Sequence, residues 1–261
     1  PRVARRNYWL WVVGLAVGCN SPARTTGALP AASAAAAHPS GTSAAPTPPL
    51  EWTERVTGGA TAGEPLPLVI AMHGLGDRPE AFGELYSGFD QRARVVLLRA
   101  PDPWGTGYSW FPFRAHDGDD LRAKGIAIAA ERVIVTVALL ESKLPTRGKP
   151  IVTGFSQGGM LSFAIAARHP DRVRAALPLG GVLPAPLWPA FDAGSPAVRI
   201  IALHGEADAV VPIGPTKSAV AALQARGFNA RLESFPGVGH SLPEPLRGRY
   251  FELLKAELNR P

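Results

Sequence analysis

From residue 50 to the C-terminus, short and mostly apolar runs alternate with longer stretches of helical periodicity, and no other feature restricts the fold so strongly. An apolar run without polar alternation has no face to offer to water, so it must be a strand covered on both sides. Strands of that kind separated by helices form a mostly parallel sheet with helices on both faces, since each crossover has to return across one face of the sheet. Residues 68–72, 95–99, 151–155, 175–179, 200–203 and 231–235 are the predicted strands, and residues 120–140, 158–168, 216–226 and 245–258 the predicted helices. The expected fold class is therefore α/β. With 46% hydrophobic and 18% charged residues among 261, the chain carries enough apolar material for one substantial core. Ligands of such open sheets bind beyond the carboxyl ends of the strands, which directs attention to the residues just after each apolar run.

The run at 151–155 leads into Gly154-Phe155-Ser156-Gln157-Gly158, and a helical pattern begins immediately afterwards. A G-x-S-x-G segment between strand and helix is the setting of a nucleophile elbow, a sharp turn that strains the serine backbone and exposes its hydroxyl. The bland alternative is a glycine-rich turn whose serine caps the helix. A serine hydroxyl is a poor nucleophile at neutral pH, so it needs a base to take its proton and a carboxylate to orient that base. On sheets of this kind the chain order is serine, acid, histidine, which leaves His169, His204 and His240 as candidate bases. His169 ends a helix in Arg168-His169-Pro170, where solvation or capping of the helix end is expected. His204 closes a strand and reads as a structural hydrogen-bonding group beside the site. His240, in Gly237-Val238-Gly239-His240, lies on a glycine-rich loop between the last strand and the last helix and is the expected base. Asp208, just past a strand end and followed by Val210-Val211-Pro212, is the expected acid. Glu206 is its nearest rival, with Asp171 and Asp192 ranked lower.

A tetrahedral intermediate also needs preorganised N–H donors, worth roughly 3 kcal/mol each. The backbone amide of Gln157, following the nucleophile at a helix N-terminus, is one expected donor. The second is expected from the loop after the strand at 68–72, where His73-Gly74-Leu75-Gly76-Asp77 places the amide of Leu75. A plain glycine-rich turn is the competing reading. Trp104, Tyr108, Trp110, Phe111 and Phe113 crowd one further loop; Trp110 and Phe111 are candidates for a substrate-pocket wall, with packing of a long loop equally open.

Together, His73-Gly74-Leu75-Gly76-Asp77, Gly154-Phe155-Ser156-Gln157-Gly158-Gly159, His204-Gly205-Glu206-Ala207-Asp208 with Val211-Pro212, and Gly239-His240 resemble the phospholipase/carboxylesterase family of the α/β-hydrolase superfamily. That family includes bacterial carboxylesterases and acyl-protein thioesterases. Ser109-Trp110-Phe111 is similar to the aromatic patch its members carry between oxyanion loop and elbow. The resemblance runs from about Pro65 to the C-terminus. It implies an α/β-hydrolase fold and a lidless serine hydrolase that acts on small-molecule carboxylic esters, or thioesters, without metal or organic cofactor. A feruloyl- or acetyl-type esterase of polysaccharide-linked esters and a peptidase would use the same triad. A catalytically silent binding protein on the same scaffold is the reading from another class.

The N-terminal region reads differently. Arg2, Arg5 and Arg6 precede an apolar run at residues 8–18, shorter than the ~20 residues a membrane-spanning helix needs. Leu15-Ala16-Val17-Gly18-Cys19 resembles a bacterial lipoprotein box, so residues 1–19 are the expected signal peptide and Cys19 the expected lipidation site. An ordinary secretory or a twin-arginine signal is the alternative. Residues 20–50, rich in Ala, Pro, Ser and Thr, are the expected tether, and residues 51–261 the catalytic domain. The expected location is outside the cytoplasm, at a bacterial membrane through the lipid or else secreted. Cys19 is the single cysteine, so no internal disulfide braces the domain. The formal charge of +6 owes half its excess to those three arginines, and no basic stripe follows, so no nucleic-acid partner is expected.

Overall fold

The computed structural model describes residues 47–112, 118–191, 194 and 196–260; Cys19, the expected signal peptide, the tether up to residue 46, Phe113 and Asp192 lie outside the described residues. The chain runs through β1 (Trp52–Val56), β2 (Leu68–Met72), the short helix α1 (Pro79–Gly83) and β3 (Arg94–Leu98). A hairpin of β4 (Asp102–Trp104) and β5 (Gly107–Ser109) precedes the long helix α2 (Asp119–Lys143). Then follow β6 (Ile151–Phe155), α3 (Gln157–Arg168), β7 (Ala175–Leu179), β8 (Arg199–Gly205), α4 (Ile213–Gln224), β9 (Asn229–Phe235) and α5 (Glu244–Leu258).

Seven strands form one sheet in the order β1-β3-β2-β6-β7-β8-β9. Only β1 runs antiparallel, against β3; the other pairings are parallel. The reason is visible in burial: every residue of β2, β3 and β7 is buried, as strands covered on both faces must be. Alternate residues feed two cores. Leu68, Ile70 and Met72 pack with Ile126, Val133 and Leu140 of α2 and with Leu161 and Phe163 of α3. Val69 and Ala71 face the other way, toward Phe82 of α1 and Leu246, Tyr250 and Leu254 of α5. Helices α2, α3 and α4 thus cover one face, and α1 and α5 the other.

Leu50, which composition assigns to the tether, is buried, and its N–H donates to Thr136 Oγ1 at 2.9 Å. Packed chain therefore begins by Leu50, and residues 45–261 gather into one unit. Among the described residues, no helix is long and apolar enough to cross a membrane.

Candidate active site

The site is assembled at the carboxyl ends of β6 and β8, where the strand edge leaves the sheet and the chain must turn. At the end of β6, Ser156 has φ 55° and ψ −114°, and it is the only non-glycine residue with positive φ among the described residues. Such a conformation costs on the order of 1–3 kcal/mol, so neighbouring packing has to enforce it. The enforcement comes from close approach. A Cβ on Gly154 would lie 2.5 Å from the Met72 carbonyl oxygen, and one on Gly158 only 2.0 Å from it. Glycine at both places lets β2 pass against the turn, and the Ser156 N–H donates to the Leu179 oxygen at 2.9 Å.

At the end of β8, Asp208 sits in a turn in which its Oδ1 accepts the N–H groups of Val210 and Val211 at 2.9 and 2.8 Å. The loop that carries His240 lies on this turn. The Ala207 N–H donates to the Val238 oxygen and the Glu206 N–H to the Phe235 oxygen, at 2.9 and 3.0 Å. His240 and Asp208 therefore ride on mutually bonded loops. His240 Nδ1 lies 2.7 Å from Asp208 Oδ2, and His240 Nε2 lies 2.9 Å from Ser156 Oγ. A carboxylate can only accept, so Nδ1 carries the proton and Nε2 is left to accept from the serine hydroxyl. The Phe155 ring lies 4.7 Å from the imidazole, centroid to centroid, and braces it from below.

Burial by itself would raise the Asp208 carboxyl. Hydrogen bonds from His204, His240 and the Val211 amide outweigh that and hold it well below the ordinary carboxylate range. His204 contributes through a shared proton: its Nε2–H donates chiefly to the Val211 oxygen at 2.7 Å and secondarily faces Asp208 Oδ2 at 3.4 Å. Of the rejected alternatives, His169 caps α3 and bonds to Glu131 at 3.0 Å, while Glu206 accepts from the Ser234 hydroxyl at 2.7 Å on the surface.

The loop after β2 runs against the elbow, since a Cβ on Gly74 would lie 3.5 Å from Ser156 Cβ. It is a tight turn: the Asp77 N–H donates to the Gly74 oxygen at 3.3 Å, and Gly76 takes φ 76°, which favours glycine. The Gly76 N–H is spent on the Tyr108 oxygen at 2.8 Å, and Leu75, carrying the candidate amide, stands between these two tied positions. The β4–β5 hairpin docks on this turn through Tyr108.

Trp110 and Phe111 are both 2% exposed and belong to the core, which favours packing of the loop among the two readings the sequence leaves open for them. The indole N–H of Trp110 donates to the His73 oxygen at 2.8 Å, and Phe111 packs over Gly125 of α2. The Gln157 side chain, which sequence reasoning used only for its amide, ties this segment to the elbow. Its Oε1 accepts from the Trp110 N–H at 3.0 Å and its Nε2 donates to the Phe111 oxygen at 3.2 Å. Both partners are backbone atoms far away in sequence, and no local pattern announces such contacts. An open groove runs along Met160, Val182, Leu183, Trp188, Val210 and Val211, with a volume of about 360 Å³. Among the described residues, no cluster of His, Cys, Asp or Glu is arranged to hold a metal ion.

A model of the phospholipase/carboxylesterase family matches residues 59–246. The chain belongs to that family. This phospholipase/carboxylesterase family member has the α/β-hydrolase fold and is a hydrolase by family. It is 26% identical over 184 residues to Esterase YpfH of Escherichia coli K12, covering 67% of the chain and 76% of YpfH. It is 27% identical over 181 residues to NocK of Nocardia uniformis subsp. tsuyamanensis, covering 69% of the chain but only about half, 47%, of NocK. Among solved structures, that of esterase PE8 superposes with a TM-score of 0.66 at 26% identity, covering 80% of this chain and 99% of PE8.

Proposed function

We propose that this protein hydrolyses small carboxylic esters through an acyl-enzyme on Ser156. One observation carries the reading: an imidazole that bridges a strained serine hydroxyl at 2.9 Å and a buried carboxylate at 2.7 Å. His240 takes the Ser156 proton as Oγ attacks the ester carbonyl, and Asp208 stabilises the imidazolium. The amides of Leu75 and Gln157 hold the oxyanion. Collapse of the intermediate expels the alcohol with the proton from His240, and water then releases the acid by the same path in reverse. A thioester enters the same cycle with a thiol as leaving group.

The groove along Met160, Val182, Leu183 and Trp188 is the proposed acyl site. Met160 lies one helical turn beyond Ser156, and Val210 and Val211 are the residues whose amides hold Asp208. Its lining, mainly apolar but with Asp119, Arg122 and Ser218 among its residues, and its volume of about 360 Å³, near the small end of ligand pockets, favour short acyl or aryl groups over long fatty chains. Export, with Cys19 carrying lipid and the tether from residue 20 up to the packed Leu50 spanning from membrane to enzyme, is proposed on sequence alone. Hydrolysis of a p-nitrophenyl ester series should peak at short acyl chains and vanish in Ser156→Ala with the fold intact. Persistent turnover in Ser156→Ala would refute the mechanism.

A further inference from the structure

His73 makes no bond to the reacting groups, yet its buried imidazole is engaged at both nitrogens. The Ala100 N–H donates to Nε2 at 3.2 Å. A backbone amide can only donate, so Nε2 is bare and the proton of the neutral ring lies on Nδ1. Nδ1 stands 2.7 Å from the Gly74 oxygen and therefore donates to it. Burial keeps the ring neutral by lowering its pKa to about 4, and the rings of Trp110 and Tyr108 flank it at 5.3 and 6.5 Å. Tautomer, charge and orientation are all set.

The Gly74–Leu75 peptide is trans, so its C=O and N–H point in opposite directions. With the carbonyl pinned to His73, the Leu75 N–H must point away from the imidazole, out of a turn that lies against Ser156. The Asp77 N–H supports the same carbonyl at 3.3 Å, and the next amide, that of Gly76, is already committed to Tyr108. The geometry points to His73 as the residue that orients the oxyanion-hole peptide, a positioning residue acting through Gly74 and Leu75 rather than on substrate. This inference rests on the hydrolase reading, because only a developing oxyanion makes the direction of that amide matter. Loss of the imidazole frees the peptide to rotate, and the hole then lacks a donor for part of the time.

The test separates transition-state from ground-state binding. His73→Phe keeps a buried ring and removes both hydrogen bonds, whereas His73→Asn, whose amide nitrogen takes the place of Nδ1, restores the donor for Gly74 alone. For each, kcat, KM and the affinity for a trifluoromethyl ketone, which forms an anionic hemiketal on the serine, are measured. Wild-type turnover and its loss in Ser156→Ala are measured in parallel, so failure of the hydrolase reading shows separately from failure of the clamp. In His73→Phe, kcat is expected to fall by about 10²-fold with KM changed by no more than about twofold. Ketone affinity should fall in parallel with kcat, and His73→Asn should recover at least about tenfold of the loss. If His73→Phe does not fold, His73→Leu against the isosteric His73→Asn carries the same contrast. A kcat within about twofold of wild type, ketone affinity unchanged while kcat falls, or no advantage of Asn over Leu would each overturn the inference.

Discussion

Asp208 stays charged because donors converge on it from two histidines, His240 and His204, and from the amides of Val210 and Val211. In the proposed mechanism it holds one tautomer of His240, so Asp208→Asn should leave the fold intact and cost about 10⁴-fold in kcat, the loss seen when a triad carboxylate becomes an amide. Steady-state kinetics on a p-nitrophenyl ester checks this; a loss below about tenfold would show that the imidazole is oriented by something else. His73 poses the opposite electrostatic case. Its folded pKa is lowered by burial from 6.5 to about 4, so between these values the unfolded chain binds a proton here that the folded chain does not. Stability is therefore full above pH 6.5 and falls as pH drops toward 4, by roughly 3 kcal/mol over the window. Urea unfolding of wild type and His73→Phe at pH 7 and pH 4.5 should show a smaller fall in the variant; equal falls would mean that His73 titrates normally in the folded protein.

The elements that place the site depend on how closely strand and helix approach. A Cβ on Gly158 would meet the Met72 carbonyl oxygen at 2.0 Å, and Met72 belongs to a strand paired on both sides that cannot retreat. Gly158→Ala should cost about 3 kcal/mol or more and lower Tm by about 6–12 °C. Gly214, exposed in the first turn of α4 with nothing within 4 Å of a Cβ, predicts the opposite sign. Gly214→Ala should raise stability by about 0.5–1 kcal/mol. Thermal melts of the two variants decide both. The same contrast between buried and exposed chain governs what could be read in advance. β2, β6 and β7 have the bounds expected of them, because a strand covered on both faces is mostly apolar along its length. β1, Trp-Thr-Glu-Arg-Val, escaped notice because an edge strand half in water carries polar residues. The β4–β5 hairpin escaped because Pro103, Gly105 and Gly107 read as loop, and α1 because five residues are too short for a helical period. Ser156, Asp208 and His240 each follow a strand end, and their side chains meet there. His204 reads in advance as a hydrogen-bonding group beside the site, whereas the bonds of His73 and Gln157 are illegible, since each side chain answers a backbone atom whose position only the fold determines.

For the molecule as a whole, the sheet brings together side chains 84 and 32 residues apart so that one imidazole touches both. The packed unit of residues 45–261 contains every group the proposed reaction uses. A protein lacking residues 1–44 should therefore keep the kcat/KM of the full chain, and Cys19→Ser in the full chain should change its partition between membrane and soluble fractions without changing turnover. Acyl transfer to serine can be caught directly. Rapid acid quenching during turnover of p-nitrophenyl acetate, followed by peptide mass mapping, should find an acetyl group on Ser156, and none on that peptide in His240→Ala at the same time point. Turnover with no acetylated serine, or an acetyl group on Ser156 that forms as fast without His240, would contradict the mechanism.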